Sequence, residues 1–184
     1  MKPIVIYVSG APGAGKSTLA KLLSEQLYIP YVSSDLIHGG LELTHPHHDR
    51  KHAIQSVFVP LLLEYAKNDI SFIVDHVLQR DIAKSTIVDK LQEYANVVYI
   101  HVQADDPIGR YVERIKTSEQ PDIIRRRELL LERAGYHTNN LQNTADAIDL
   151  GIPTLVVDTN SGYRPALSEI VSFINEIREG GQKA

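Results

Sequence analysis

The chain has 184 residues, of which 43% are hydrophobic and 23% charged, enough for one ordinary globular domain with a sizeable core. A formal net charge of −4 gives no general electrostatic footprint for nucleic acid. The absence of cysteine excludes disulfides, zinc–thiolate sites and a thiol nucleophile. No apolar run reaches membrane-spanning length. The run Ile4 to Val8 is too short for a signal peptide, so a cytoplasmic address is the expectation.

The chain opens on a β-branched run, Lys2 to Ser9, that feeds Gly10-Ala11-Pro12-Gly13-Ala14-Gly15-Lys16-Ser17-Thr18. An apolar helical pattern follows at once with Leu19, Leu22, Leu23 and Leu27. Strand, GxxxxGK[ST] and helix in that order make a phosphate-binding loop. Glycine lets the backbone curl through dihedrals that other residues avoid, and the inward N–H groups then form an anion nest at a helix N-terminus. Lys16 is expected on the β- and γ-phosphates of ATP and Ser17 on Mg²⁺.

A helix to Tyr28 is followed by a short strand, Tyr31 to Ser33, with Ser34 and Asp35 at its carboxyl end, the edge where open α/β sheets bind ligands. Gly39-Gly40 is expected to break any helix begun there. Thr44 to Arg50 reads as a histidine-rich loop. His52 to Lys67 reads as a helix, with a kink or break at Pro60. A third strand, Ser71 to Asp75, ends in a carboxylate. A helix over Asp81 to Tyr94 leads to a strand over Asn96 to Val102 that is apolar enough to be buried on both faces.

Asp105-Asp106-Pro107 starts a helix carrying Arg110 and Arg114 four residues apart, hence on one face. Helical pattern resumes from Asp122 to Ala134, with Gly135 as its expected end. A short helix is expected over Asn139 to Leu150, a last strand over Pro153 to Asp158, a turn at Asn160-Ser161-Gly162, and a final helix over Pro165 to Glu179 with a frayed tail. Alternating strands and helices imply a parallel sheet covered on both faces.

With these motifs in place, the chain resembles the phosphate-loop kinases, in the branch similar to nucleoside monophosphate kinases. Val32-Ser33-Ser34-Asp35-Leu36-Ile37-His38 resembles the second-strand signature of polynucleotide-kinase-like and chloramphenicol-phosphotransferase-like families, with His38 standing where those families often carry arginine. Ile73-Val74-Asp75-His76 resembles their third-strand end, and Arg110 with Arg114 the arginine pair that opens a lid. Asp158-Thr159-Asn160-Ser161 resembles the last-strand loop that lies against adenine. The resemblance implies a three-layer α/β fold with a five-stranded parallel sheet in the order 2-3-1-4-5. It also implies one domain over 1–184, with a small helical lid over about 110–140.

Phosphoryl transfer needs a phosphate cradle, a metal, an oriented acceptor and cations over the migrating group. Asp35 is the candidate base or orienting carboxylate, with a helix cap as the alternative role. Asp75 is the candidate partner of Mg²⁺ alongside Ser17, or else a turn residue. Arg110 and Arg114 are candidates for adenine and phosphate, or else a solvated face. Of the run Arg125 to Arg127, Arg126 is the reserve catalytic cation. His38 and His76 are candidate acceptor contacts, whereas His45, His47, His48 and His52 read as a solvated loop and helix start. The expected function is transfer of the γ-phosphate of Mg·ATP to a hydroxyl or phosphate of a small molecule. A nucleotide-binding regulatory ATPase and a nucleic-acid end kinase stand as alternatives, the latter disfavoured by the acidic charge.

Overall fold

The computed structural model describes residues 2–45, 53–78, 80 and 84–180. Its sheet runs β2-β3-β1-β4-β5, built from β1 (Ile4–Gly10), β2 (Tyr31–Ser33), β3 (Phe72–Asp75), β4 (Asn96–Gln103) and β5 (Thr154–Asp158), all paired in parallel. This is the strand order the resemblance implies. The central strand β1 is buried along its whole length because helices cover both faces.

Side-chain alternation divides the core in two. Val5 and Tyr7 of β1, Phe72 and Val74 of β3, and Val97 and Tyr99 of β4 face one cluster. Ile4, Ile6 and Val8, Ile73, and Val98, Ile100 and Val102 face the other. The second cluster is closed by α1 (Lys16–Leu27), through Leu19, Ala20 and Leu23, and by the last helix, here α8 (Leu167–Gly180), through Ile170 and Ile174. Over the first lie α3 (Val59–Lys67), through Leu62, and α4 (Asp89–Gln92), through Leu91. Helices α5 (Pro107–Thr117), α6 (Pro121–Arg125) and α7 (Arg127–Asn139) share a small core of their own, made of Tyr111, Ile115, Ile123 and Ala134.

Several expected boundaries differ. Gly39-Gly40 does not break the chain: α2 runs unbroken over Ser34–Thr44. A β-carbon at Gly39 would lie 3.1 Å from the Arg126 guanidinium, so the glycine makes room for that side chain. The expected kink at Pro60 is instead a change of helix type. Ile54–Phe58 forms a π-helical turn, with the Val59 N–H donating to the Ile54 carbonyl, and Pro60 sits in the first turn of α3, where its missing N–H costs nothing. A second π-helical turn, Lys84–Val88, precedes α4. Gly135 does not end a helix but lies inside α7. Beyond Asn139, where α7 ends, the α-helix expected as far as Leu150 does not form. Only a 3₁₀ turn, Leu141–Asn143, forms there, and Ile148 and Leu150 are drawn into the core instead. Pro46 to His52, with His47 and His48, lies outside the described residues, as do residues 81–83 and 181–184.

The segment after α7 is fastened by a polar pair on β4. His101 is buried, with Nε2 2.8 Å from the Ala145 carbonyl and Nδ1 2.8 Å from the Tyr99 hydroxyl. A carbonyl can only accept, so Nε2 carries the proton and Nδ1 accepts from Tyr99. Burial lowers the His101 pKa below its ordinary 6.5 and pushes the Tyr99 hydroxyl up to about 12. The folded state therefore resists a proton that the unfolded chain takes up, so this contribution to stability is complete above 6.5 and is lost as pH falls below it. The melting temperature should drop between about pH 7 and about pH 5. His101→Gln should start lower at neutral pH and show a clearly shallower drop in a thermal scan across that range. An identical slope would place the titrating group elsewhere.

Candidate active site

The glycines of the phosphate loop are required by backbone proximity as well as by φ. Gly10, Gly13 and Gly15 have φ of 145°, 88° and 95°. A β-carbon at Gly10 would run into the carbonyl of Val102 in β4, and one at Gly13 into the carbonyl of Pro107 at the start of α5. The loop is thus pressed against its neighbours main chain to main chain. Lys16 opens α1 and is only 7% exposed. The N-cap of α1 is Gly15, which has no side chain to bond the first-turn N–H groups, a geometry suited to an anion.

The other side of the loop is tied to the segment after β5. The Thr159 hydroxyl donates to the Ala14 carbonyl at 2.8 Å, and the Arg110 guanidinium reaches the Thr159 side chain at 3.1 Å and its carbonyl at 3.3 Å. The Asn160 side chain accepts from the Asp105 N–H at 3.0 Å. Arg110 and Asn160, both singled out from sequence, therefore share one wall with the loop.

Asp75, the last residue of β3, is 4% exposed and level with Val8 of β1. The Tyr31 hydroxyl donates to its Oδ2 at 2.7 Å. Burial, reinforced by the negative charge of Asp75, raises the pKa of Tyr31 and that of the fully buried Tyr7, so both phenols keep their protons. His76 follows, its Nδ1 2.9 Å from the Ser34 hydroxyl and its ring 5.3 Å from that of Phe58. Asp35 is not a helix cap. Ser33 holds that position, and Asp35 is an exposed residue of the first turn of α2, where the helix dipole favours a carboxylate.

A cavity of about 920 Å³ joins these groups. Pro12, Lys16, Asp35, Asp75 and His76 line it, and α7 closes it from above with Arg133, Tyr136, His137 and Asn140. His38 is buried in α2 and is not among the lining residues. Arg114 lies 5.7 Å from the ring of Tyr111, and Arg126 pairs with Asp122 at 3.2 Å while packing on Gly39. Neither lines the cavity. The arginine of α7 that does is Arg133, which sequence reasoning missed. The signal was present: positions 133, 136, 137 and 140 are spaced as one helical face, but an expected stop at Gly135 cuts that face in half.

Among the described residues no group of His, Cys, Asp and Glu side chains forms a dedicated metal cage. Ser17 and Asp75 supply oxygen donors beside the loop, and the Tyr31 bond engages only one carboxylate oxygen. Few protein oxygens next to a phosphate site fit Mg²⁺, which keeps waters and takes the rest of its shell from substrate.

Comparison with known proteins places this geometry in context. A family model described as Zeta toxin matches residues 1–164. A cytidylate kinase of Sulfurisphaera tokodaii is 24% identical over 188 residues, covering 94% of this chain and 96% of that protein. Among solved structures, a Chloroflexus aurantiacus protein provisionally named a kinase superposes with a TM-score of 0.70 at 20% identity, over 96% of this chain and 98% of its own. A gluconokinase from Sinorhizobium meliloti gives 0.61 at 15% identity, over 100% and 99%. At such identities the two structures show the fold.

The close approach at Gly13 yields a test. Gly13→Ala forces a side chain into positive φ and against Pro107, and should cost about 2 kcal/mol or more in denaturant unfolding. It should also abolish ATP binding measured by calorimetry. Wild-type values for both would mean that the loop can pull away from α5 without consequence.

Proposed function

We propose that this chain, which belongs to the Zeta toxin family, is an ATP-dependent kinase that transfers the γ-phosphoryl group of Mg·ATP to a hydroxyl or phosphate of a small molecule. The observation that supports this most directly is the continuity of the cavity. It runs from the phosphate loop at Lys16, past Asp35 and Asp75, to the face of α7. An ATPase that used water alone would need no such space beside its γ-phosphate. The names carried by similar proteins, cytidylate kinase and gluconokinase, fit the same reading.

In this reading the loop amides of Gly10 to Thr18 cradle the phosphates, and Lys16 spans the β- and γ-groups. Arg110 and Asn160 lie on the adenine side. Magnesium, held by Ser17 and Asp75, would neutralise phosphate charge. The acceptor enters between Asp35 and His76, with His38 behind them in α2. A hydroxyl acceptor forms its bond to the γ-phosphorus while the bond to the β,γ-bridging oxygen breaks. ADP leaves, and the hydroxyl proton passes to the Asp35 carboxylate and then to water. The chain acts as one domain over 1–184, and its lid, about 110–140, closes to exclude water. Arg133 on the lid face is better placed than Arg114 or Arg126 to meet the transferring group.

Two substitutions test this assignment. Asp35→Asn should bind ATP as the wild type does, yet consume γ-labelled ATP at least about tenfold more slowly with an acceptor present. Unchanged turnover would remove Asp35 from the chemistry. Tyr31→Phe deletes the donor that orients Asp75 and should raise the Mg²⁺ concentration required for half-maximal ATP binding by roughly tenfold. Magnesium-free nucleotide binding should stay as it was, and a loss there would assign Tyr31 to the fold rather than to the metal.

A further inference from the structure

Resting on the kinase reading, we infer that Ser9 is a positioning residue: its hydroxyl holds the exit of β3, residues 75–78, beside the phosphate loop and so aims Asp75 at the metal. The β1–β3 ladder pairs Val5 to Val8 with Phe72 to Asp75. Just beyond it the His76 N–H donates to the Val8 carbonyl at 3.4 Å. Parallel ladder bonds are evenly spaced, and every second N–H of a strand faces the same neighbour. The next rung would therefore join the Leu78 N–H to the carbonyl of Gly10. β1 stays with β4 as far as Gly10 but parts from β3 after Val8. The Leu78 N–H is met instead by a side chain, the Ser9 hydroxyl, at 2.8 Å. Ser9 is buried, so water does not compete for this bond.

The tied segment is the cavity wall that carries Asp75. Asp75, His76, Val77 and Leu78 all line the cavity, whereas Ser9 is not among the lining residues. Tyr31 reaches Asp75 from β2, and Ser34 reaches His76 from the start of α2. Ser9 adds a side-chain tie from β1, and the residue after it is Gly10, the first of the phosphate loop. One stretch of backbone therefore carries both the amide nest and the group that sets the height of the β3 exit. Without the hydroxyl, the buried Leu78 N–H is left unsatisfied or draws the segment toward another acceptor. Mg²⁺ demands near-ideal octahedral geometry, so a small displacement of one oxygen donor weakens its site. The opposite edge of the same two strands supplies a control. There the Ser71 hydroxyl accepts from the Ile4 N–H at 3.0 Å. Each bond joins a serine side chain to a main-chain N–H across the β1–β3 seam, but the phosphate loop and Asp75 lie at the edge that Ser9 holds.

The experiment compares Ser9→Ala with Ser71→Ala in the full chain. Both should melt lower than the wild type, by about 3 °C or more, since each strands a main-chain donor. Binding of a non-hydrolysable ATP analogue is then measured by calorimetry across a magnesium series. Ser9→Ala should need roughly tenfold more Mg²⁺ for half-maximal binding, with magnesium-free binding unchanged. Ser71→Ala should keep the wild-type requirement. Ser9→Cys, whose sulfur accepts only weakly, keeps the site filled and should move the requirement in the same direction, so a folding defect in Ser9→Ala does not decide the matter. In the nucleotide-free chain the Leu78 amide, followed by NMR, should exchange at least about tenfold faster in Ser9→Ala than in Ser71→Ala. The inference is overturned if the Ser9 variants keep the wild-type magnesium requirement, if Ser71→Ala raises it equally, or if the Leu78 amide exchanges alike in the two alanine variants. Loss of magnesium-free binding in Ser9→Ala also overturns it, because Ser9 would then act on the loop itself. A wild-type chain that never takes up the analogue would instead sink the kinase reading, and one that takes it up regardless of magnesium would sink the metal assignment; the inference falls with either.

Discussion

Contact between main chains at Gly10 and Gly13 is the constraint from which the rest of the site follows. With β-carbons excluded, the loop lies directly on the carbonyls of Val102 and Pro107. That contact fixes the distance between β1 and the start of α5, and so relates the phosphate cradle to the helices that follow β4. The start of α5 is itself pinned, since the Asp106 side chain accepts from the Gly109 N–H at 2.8 Å and Pro107 sets the first turn. Thr159 completes the clamp from β5 by bonding the Ala14 carbonyl. A loop held on three sides need not reorganise when a polyphosphate arrives, and preorganised N–H groups gain most from low reorganisation.

A second constraint is electrostatic. Asp75 sits almost fully buried at the carboxyl end of β3, where an ionised carboxylate is costly unless it is compensated. The Tyr31 hydroxyl offsets part of that cost, and the high pKa of Tyr31 keeps the donor proton in place. Tyr7, fully buried beneath the same charge, has a hydroxyl with no hydrogen-bond partner among the described residues. A neutral donor offsets a buried negative charge less well than a cation does. The arrangement therefore favours positive charge near Asp75, which is what the proposed magnesium would bring together with Lys16.

How much of this was legible in the sequence depends on whether the signal was local. The strands and the phosphate loop were, because glycine spacing and β-branched runs carry their meaning within a few residues; the strand order came only from the family resemblance. Tyr31 gave no sign of its bond to Asp75, since that contact joins neighbouring strands across 44 positions. His101 read only as part of an apolar run; its polar partner, Ala145, lies in a segment expected to be helical. The glycine errors share one cause. Gly39 and Gly135 were read by intrinsic propensity, which charges glycine about 1 kcal/mol inside a helix. Tertiary contact outweighs that at Gly39, where the Arg126 side chain occupies the space a β-carbon would need. Gly135 is exposed, with nothing near it, so there the flanking helix alone carries the residue.

The two halves of the cavity are built by opposite means, and the contrast bears on specificity. The nucleotide half is locked by backbone contacts that admit no side-chain variation. The other half is bordered by irregular elements: two π-helical turns, a 3₁₀ turn and the start of α2. A π turn adds a residue to the helical circuit and rotates the side chains before it relative to those after it. Ile54 and Gln55 thereby reach the cavity although Phe58 and Leu62, further along, belong to the core. The same division holds at the second turn, where Thr86 faces the cavity and Val88 the core. Gln55 and Thr86 on this wall can change without disturbing the packing behind them, whereas Val59 and Ile87 line the cavity and belong to the core at once. In the proposed kinase the acceptor would therefore be chosen by polar residues such as Gln55 and Thr86, whose replacement leaves the sheet, the glycine contacts and the buried carboxylate intact.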